Sequence, residues 1–251
     1  MLKIITALTM SLISILANAQ VSETRELQAF SKIETTDGVE VIFTQGAQNI
    51  KAEASDELGL SSISTKVEYG ILKISCKGNM GEMVRVYVSA ENVRAMEASK
   101  KAKITVRNAI QMPAFSLRMA SGSKFYGKII SDKVTLAAKT GAIVNIRVES
   151  ASFHGNFQNN AKVNLSGTSD QAEILTSDGA YCAARNFQTG IASIDAKDNS
   201  RVAINTKNII DVKVSETAKV TYYGSPAKSH RSYDSLVDIY KKSKDALIVK
   251  N

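Results

Sequence analysis

A short motif of small and turn-forming residues recurs along this chain at an interval of about 19 residues. Each copy ends in Ala or Ser, and the residue before it is Gly or Asn in five of seven copies, which suits a left-handed backbone conformation there. A period this regular is the signature of a repeat architecture. The final residues, called reference residues here, are Ala102, Ser123, Ala142, Ala161, Ala180, Ser200 and Ala218, with intervals of 21, 19, 19, 19, 20 and 18.

The residues around each reference residue repeat as well. Before it, apolar residues alternate at period two, as in Phe115, Leu117 and Met119. A unit of this length is too short for a βαβ crossover and cannot cover its own apolar face, so neighbouring units must stack. We therefore predict an all-β parallel β-solenoid, with a barrel or a sandwich as the competing architecture. Two positions after each reference residue stand Ile104, Phe125, Val144, Val163, Cys182, Val202 and Val220.

The two ends of the chain depart from the repeat. Residues 1–19 combine Lys3, an apolar run and a small-x-small ending, which predicts a secretory signal peptide. Residues 20–226 are expected to form one solenoid domain, with N-terminal strands over 20–92 that cover one end and repeat coils over 93–226. Residues 227–251 place Tyr233, Leu236 and Tyr240 at helical spacing, which predicts an amphipathic helix over the other end.

The net charge limits the classes of partner that the chain can bind, and the two cysteines limit its disulfide content to one bond at most. The whole chain carries a formal charge of +8, and removal of residues 1–19 takes away one basic residue and no acidic one. In an exported protein, a basic surface favours anionic glycans or lipopolysaccharide over nucleic acid. Cys76 and Cys182 are compatible with one disulfide, but both occupy apolar strand positions, so two buried free thiols are favoured. The sequence predicts no metal site and no cofactor.

Three segments carry a family resemblance: "FSKIETTDGVEVIFTQG" at 30–46, "GILKIS" at 70–75 and "KVTYYGSPA" at 219–227. With the small-residue corners they resemble the putative auto-transporter adhesin, head GIN domain family of exported Bacteroidetes proteins, over residues 28–227. The resemblance implies a right-handed parallel β-helix, a single-stranded solenoid, and brings no catalytic residues. The family's usual Ser-Gly-Ser-Gly corner survives only in part, which weakens the transfer of a shared binding surface.

Catalytic groups are sparse. His154 and His230 have no metal-ligand spacing with another His or Cys, and Ser121 lacks the G-x-S-x-G pattern. Asp178, Asp198 and Glu216 share one slot in three successive coils, so they would form an acidic ladder suited to a cation or to acid–base chemistry. The alternative is that these carboxylates stabilise turns through bonds to the backbone. No catalytic residue is predicted.

The outward positions of the coils carry a clearer signal. Of the fourteen residues that stand one or five positions after a reference residue, nine are basic and none is acidic. Like charges on adjacent strands disfavour each other, so we interpret this basic stripe as a candidate face that binds anionic glycan or lipid headgroups, with ordinary solvation of a basic surface as the alternative. The basic stripe comprises Lys103, Arg107, Lys124, Lys128, Arg147, Lys162, Tyr181, Arg185, Arg201 and Lys219.

These observations together predict an exported, non-enzymatic binding or adhesion module that is periplasmic, attached to the outer membrane or secreted. Its partners would be anionic glycans, lipopolysaccharide or another envelope protein, and self-association is open. A polysaccharide-active β-helix enzyme that uses the stacked carboxylates is the first alternative. A structural or envelope-sensing domain without its own ligand is the second.

Overall fold

The computed structural model describes residues 20–78, 84–215, 217–233 and 238–242, and this part of the chain is built from strands and one short helix. The signal peptide predicted for residues 1–19 lies outside the described residues. The N-terminal elements are β1 (Val21–Thr24), β2 (Lys32–Thr35), β3 (Glu40–Thr44), β4 (Asn49–Ala54), α1 (Glu57–Ser62), β5 (Ile63–Glu68), β6 (Ile71–Cys76) and β7 (Arg85–Ser89).

The repeat region forms the parallel β-solenoid that the 19-residue period predicts. Successive strands pair in parallel and nearly in register, so that Lys124 lies opposite Ile143 and Ile143 opposite Lys162. Its strands are β8 (Ala95–Ala98), β9 (Lys103–Val106), β10 (Ile110–Gln111), β11 (Ala114–Met119), β12 (Lys124–Ala138), β13 (Ile143–Phe157), β14 (Lys162–Thr176), β15 (Tyr181–Ala196), β16 (Arg201–Val214), β17 (Lys219–Tyr223), β18 (Lys228–Tyr233) and β19 (Asp238–Lys242).

Each long strand consists of two arms joined by a bend. In β13 the first arm buries Val144, Ile146 and Val148, and the second arm buries Phe153 and Phe157. The inward positions alternate within each arm, and this alternation breaks over residues 149–152. Because equivalent residues stack about 4.8 Å apart, the inward positions form continuous apolar ladders, in which each large side chain contributes about 1.5–3 kcal/mol.

The corner before β9 and before each of β12 to β16 is a tight turn with two consecutive residues at positive φ. At Thr140 and Gly141 the φ angles are 54° and 70°, and the amide of Ala142 donates to the carbonyl of Lys139 over 3.3 Å. Positive φ at both central residues is the pattern of a type I′ turn. Neighbouring corners also bond to each other, as the amide of Gly122 does to the carbonyl of Thr140. All seven reference residues are buried.

The bend between the arms carries a second ladder that the sequence analysis missed. Its members are hydroxyl residues that are largely buried and bond to one another or to bend carbonyls. Ser150 donates to Ser169 over 3.0 Å, and Ser169 donates to the carbonyl of Gln171 over 2.7 Å. Buried hydroxyls are tolerated because these bonds replace those lost to water. The register aligns Ser131, Ser150, Ser169, Thr189 and Thr206 in this ladder.

The N-terminal part continues the same stack, but in a different order from the sequence. The coil of β2 and β3 lies between that of β8 and β9 on one side and that of β6 and β7 on the other. Its corner at Asp37 and Gly38 has the same two positive φ angles as the later ones, and Gly38 donates to the carbonyl of Lys100. The inserted residues between this coil and β8 hide it from a search for a 19-residue period.

The end of the stack is covered by antiparallel strands. β5 pairs with β6 through a hairpin at Tyr69 and Gly70, while β4 pairs with β7 and β1 with β4. The short helix α1 connects β4 to β5, and the carboxylate of Asp56 caps it by accepting a bond from the amide of Gly59. These elements satisfy strand edges that would otherwise be open to association.

The helix expected over residues 227–251 is wrong wherever that segment is described. β18 pairs in parallel with β16, and β19 pairs in parallel with β17, so residues 228–233 and 238–242 are strands. The edge of the preceding coil presents backbone groups that an added strand can bond and a helix cannot, and this outweighs the helical spacing of the side chains. The rest of the predicted helix lies outside the described residues.

No described helix is long and apolar enough to cross a bilayer. Neither cysteine forms a disulfide. Cys182 is fully buried in the inward ladder of the first arm, whereas Cys76 is only half-buried and its sulfur lies 3.0 Å from the hydroxyl of Ser62. The expectation of two free thiols therefore agrees with the structure, but that of two fully buried ones holds for Cys182 alone.

Candidate functional site

The first outward position of the first arm forms a straight column across the coils. The strand register places Lys124 beside Ile143, Lys162 beside Tyr181, and Arg201 beside Lys219. In this column, basic residues alternate with Ile143 and Tyr181 from β12 to β16, so Lys124, Lys162 and Arg201 are each two strands apart. Two strand spacings are roughly 9.5 Å, which lessens the repulsion between like charges.

The charges in this column are not all equally available. Lys103 binds the carboxylate of Glu40 over 2.8 Å, and Glu40 also receives a bond from Arg85 over 3.1 Å. Burial raises the pKa of Glu40, but its bonds to the two cations outweigh this and hold the pKa below its ordinary value. In contrast, Lys124, Lys162 and Arg201 are exposed, and none of them forms an ion pair with another described residue.

The second column of the basic stripe is partly neutralised by an acid that the sequence count left out. Glu149 accepts bonds from Lys128 over 2.9 Å and from Arg147 over 3.4 Å. The bond from Lys128 is the main reason why the pKa of Glu149 lies below its ordinary value. Arg107 lies instead over the ring of Tyr87, at 5.7 Å from its centroid. The sequence did contain a sign of this pairing, because Glu149 stands two residues after Arg147 and the two side chains lie on the same face of a strand.

Arg185 does not occupy the column position that the repeat assigned to it. Asn164 pairs with Ala183, but Ser166 pairs with Asn186, because a β-bulge in β15 inserts one residue. Arg185 and Asn186 are therefore both exposed at the bulge. The guanidinium of Arg185 lies over the ring of Tyr223 at 4.8 Å from its centroid, a cation–π contact that crosses β16.

Around this bulge the outer surface opens into two adjoining hollows of about 500 and 460 Å³. Both are lined by Arg147, Arg185 and Asn186, so they form one shallow cavity, called here the arginine cleft. The side chains around it are mostly amides and hydroxyls, and none of the lining residues is acidic. The polar and aromatic ones besides these three are Asn145, Asn164, Ser166, Thr168, Gln188, Asn205 and Tyr223.

A larger groove of about 780 Å³ runs over the outward side of the second arm. Its charges are largely satisfied within the protein. Lys32 binds Glu34 over 2.7 Å and Glu97 over 2.8 Å, and Arg118 also binds Glu97 over 2.8 Å. Burial raises the pKa of Glu97, but the bonds from Lys32 and Arg118 outweigh it and hold the pKa below its ordinary value. The groove therefore offers less free charge than the first-arm face.

Two members of the acidic ladder expected from the sequence, Asp178 and Asp198, are residues of the tight corner turns. Asp178 and Asp198 are the first left-handed residues of their corners, and their carbonyls accept bonds from the amides of the preceding corner. The carboxylate of Asp178 also accepts a bond from the hydroxyl of Ser177 over 2.7 Å. Glu216, the third member, lies outside the described residues. Both aspartates thus occupy left-handed turn positions, but the carboxylate-to-backbone bonds of the turn-forming alternative are not seen among the described residues.

The other candidate chemical groups are dispersed. His154 lies on the outward side of the second arm, where its Nδ1 is 3.0 Å from the carboxylate of Glu173. His230 is exposed on β18. Across the described ranges, no three His, Cys, Asp or Glu side chains are grouped so that they could hold a metal ion.

Comparison with known proteins supplies a family and a set of similar folds. The family model described as "Putative auto-transporter adhesin, head GIN domain" matches residues 29–226. None of the curated proteins matches the chain. Three solved structures share its fold at 12–15% sequence identity, and each aligns over 88% of this chain. Identity this low shows the fold alone.

A protein from Parabacteroides merdae described as a putative adhesin aligns with a TM-score of 0.81, 12% identity and 96% of its own length covered. A protein from Parabacteroides distasonis described as a putative lipid binding protein aligns with a TM-score of 0.79, 12% identity and 97% covered. A putative adhesin from Bacteroides fragilis aligns with a TM-score of 0.65, 15% identity and 96% covered.

Proposed function

The chain belongs to the putative auto-transporter adhesin, head GIN domain family, and on that premise we propose that it is an exported, non-enzymatic binding module for anionic glycans. The binding face is the outward side of the first arm, which carries the basic stripe. The family's description as an adhesin supports a role in attachment. The fold supports it too, because a solenoid presents equivalent side chains in long, regular columns.

The observation that carries the proposal is the state of Lys124, Lys162 and Arg201. They are exposed, they stack on alternate strands, and they have no ion-pair partner among the described residues. The nearby acids Glu40 and Glu149 neutralise other members of the stripe instead. A row of unpaired charges at regular intervals suits a polymer that carries repeated negative charges.

Other anionic surfaces remain outcomes of the test. Lipopolysaccharide also presents repeated anionic groups, and one protein of similar fold is described as a putative lipid binding protein. The polysaccharide-active enzyme is less well supported, because the family is described as an adhesin and the proteins of similar fold are described as putative adhesins or as a putative lipid binding protein. Within exported locations, fractionation would distinguish periplasmic, outer-membrane-associated and secreted protein.

A glycan array tests the proposal with two triple variants of equal charge change. Lys124→Glu, Lys162→Glu and Arg201→Glu together reverse the free charges of the stripe. The control combines Lys133→Glu, Lys207→Glu and Lys213→Glu, which are also exposed but lie on the bend and the second arm. We expect the first variant to lose binding to acidic glycans and the control to retain most of it, with moderate salt weakening the wild type.

Equal binding by all three proteins would overturn the proposed face. Binding to lipopolysaccharide but to no acidic glycan on the array would replace the ligand class. Release of new reducing ends from an acidic polysaccharide, lost in Asp198→Asn, would replace the binding module with the enzyme.

A further inference from the structure

We propose that the arginine cleft binds the carboxylate of an acidic sugar, such as a uronic acid, between Arg147 and Arg185. This inference rests on the proposed function, because it specifies which group of an anionic glycan the first-arm face recognises. The site lies where the regular repeat is interrupted, so a perfect repeat would not contain it.

The cleft exists because the repeat is interrupted at this position. The interval from Ala180 to Ser200 is 20 residues, one more than in the three preceding coils, and the extra residue is accommodated in the bulge of β15. The register then shifts again between β15 and β16, and it is regular once more along the second arm from Ile191 onward. The disturbance is therefore confined to the first arm and the bend. Bulges of this kind re-aim side chains and are common next to binding sites.

Two arginines line the cleft, one on each of the strands that flank β14. Arg147 on β13 lies directly beside Ser166 on β14, and Ser166 lies beside Asn186, the neighbour of Arg185. A short Ser side chain between two longer ones leaves the space that the cleft occupies. The guanidinium of Arg185 is turned toward Tyr223, and Arg147, Arg185 and Tyr223 all line the second hollow, so an anion seated in that hollow would lie between the two arginines.

Both guanidinium groups are restrained by contacts that leave donors free. Arg185 lies over Tyr223, which fixes the plane of its head group. Arg147 contacts Glu149 through Nε at 3.4 Å, and this is its only hydrogen bond to a described residue, so its terminal nitrogens remain available. The planar guanidinium fork matches the two oxygens of a carboxylate, and less entropy is lost on binding when the fork is already held.

The remaining lining of the cleft points to a saccharide as the carrier of the carboxylate. Asn164, Asn186, Gln188 and Asn205 each offer both hydrogen-bond donors and acceptors. Sugar hydroxyls also donate and accept, so several of them can be satisfied at once. A phosphate headgroup offers mainly acceptors and would leave the amide oxygens unpaired.

The test compares Arg185→Lys with Arg94→Lys by calorimetric titration of an oligogalacturonate. Both changes keep the charge and remove the guanidinium fork, but Arg94 is an exposed arginine outside the basic stripe and the arginine cleft. We expect Arg185→Lys to weaken binding by about tenfold and Arg94→Lys by less than about twofold. Thermal unfolding of each variant checks that the fold is unchanged. The methyl-esterified oligosaccharide, which lacks the carboxylates, should lose most of the wild-type affinity.

The outcomes separate this inference from the proposed function. If the triple reversal of Lys124, Lys162 and Arg201 abolishes binding while Arg185→Lys binds as the wild type does, the basic face stands and the cleft is wrong. If the triple reversal has no effect either, the proposed function fails. A sulfated oligosaccharide and vesicles containing anionic phospholipid serve as further arms. Tighter binding of either than of oligogalacturonate, with the same sensitivity to Arg185→Lys, would overturn the assignment to a sugar carboxylate.

Discussion

Ser123 and Ser200 occupy the same buried corner position four coils apart, and their hydroxyl groups are in opposite states. The hydroxyl of Ser200 lies 2.9 Å from that of Thr176, which is also buried. The hydroxyl of Ser123 is buried with no hydrogen-bond partner. The corner column therefore selects side chains by size, while their polarity is satisfied only where a neighbouring strand provides a partner.

Replacement of each serine by alanine should separate these two states. Ser123→Ala is expected to be neutral or stabilising, since it removes an unpaired buried hydroxyl and Ala already fills this position in neighbouring coils. Ser200→Ala should cost about 1 kcal/mol, because it leaves the Thr176 hydroxyl unpaired. The free energy of unfolding in urea measures both. A larger loss for Ser123→Ala than for Ser200→Ala would contradict the assignment.

The left-handed corner residue gives a second prediction. Gly141 has φ of 70° and no heavy atom near its missing Cβ, so a substitution there is opposed by backbone conformation and not by crowding. Gly141→Val should destabilise by about 1–2 kcal/mol. Gly141→Asn should cost clearly less, because Asn160 and Asn199 hold the same position with φ of 60°. Equal losses for the two variants, measured by denaturant unfolding, would show that conformation is not the cause.

Acid should weaken the fold through Glu40 and Glu97. Their pKa values in the folded protein lie below the ordinary value of 4.5, since their cationic partners outweigh burial. The stabilisation is therefore complete above pH 4.5 and is lost as the pH falls through the lower folded values. Glu97→Gln should be less stable than the wild type at pH 7 but should lose less on acidification. The urea midpoints of both proteins at pH 7, 4.5 and 3 measure this difference. An equal fall in midpoint for the wild type and Glu97→Gln would refute the prediction.

Thiol chemistry gives a prediction about burial. Burial raises the pKa of Cys182 to about 12, so its thiolate is scarce at neutral pH and its sulfur is fully covered. Iodoacetamide should leave Cys182 unmodified in the native protein and modify it after denaturation. In a Cys76→Ser variant, no native alkylation is expected. A native tryptic peptide that carries modified Cys182 would be inconsistent with the inward position of this residue.

The repeat fold could be predicted because the same pattern of corner and inward residues recurs in many successive coils. Ala142 and Val144 have equivalents in every coil, so the corner and the inward strand position are visible without a structure. The coil of β2 and β3 was not recognised as a repeat unit, because the capping strands separate it in sequence from the coils that it contacts. The strands β18 and β19 were not predicted, because they form by pairing with the edge of the previous coil. The spacing of their own side chains carries no information about that pairing.

The candidate site was only partly predictable for a related reason. The column of Lys124 and Lys162 follows from the period alone. The position of Arg185 does not, because a one-residue insertion has to be absorbed somewhere in the coil and the sequence does not say where. Glu149 was missed because it lies outside the positions that were compared, although it contacts two members of the stripe.

Lysine footprinting tests the binding face most directly. The wild type is acetylated with and without oligogalacturonate, and the modification of each lysine is read by mass spectrometry. We predict that the ligand protects Lys124 and Lys162 while Lys133, Lys207 and Lys213 are modified equally in both samples. Protection of the second-arm lysines, or equal modification of Lys124 and Lys162 at a ligand concentration that saturates binding, would contradict the first-arm face as the site of attachment.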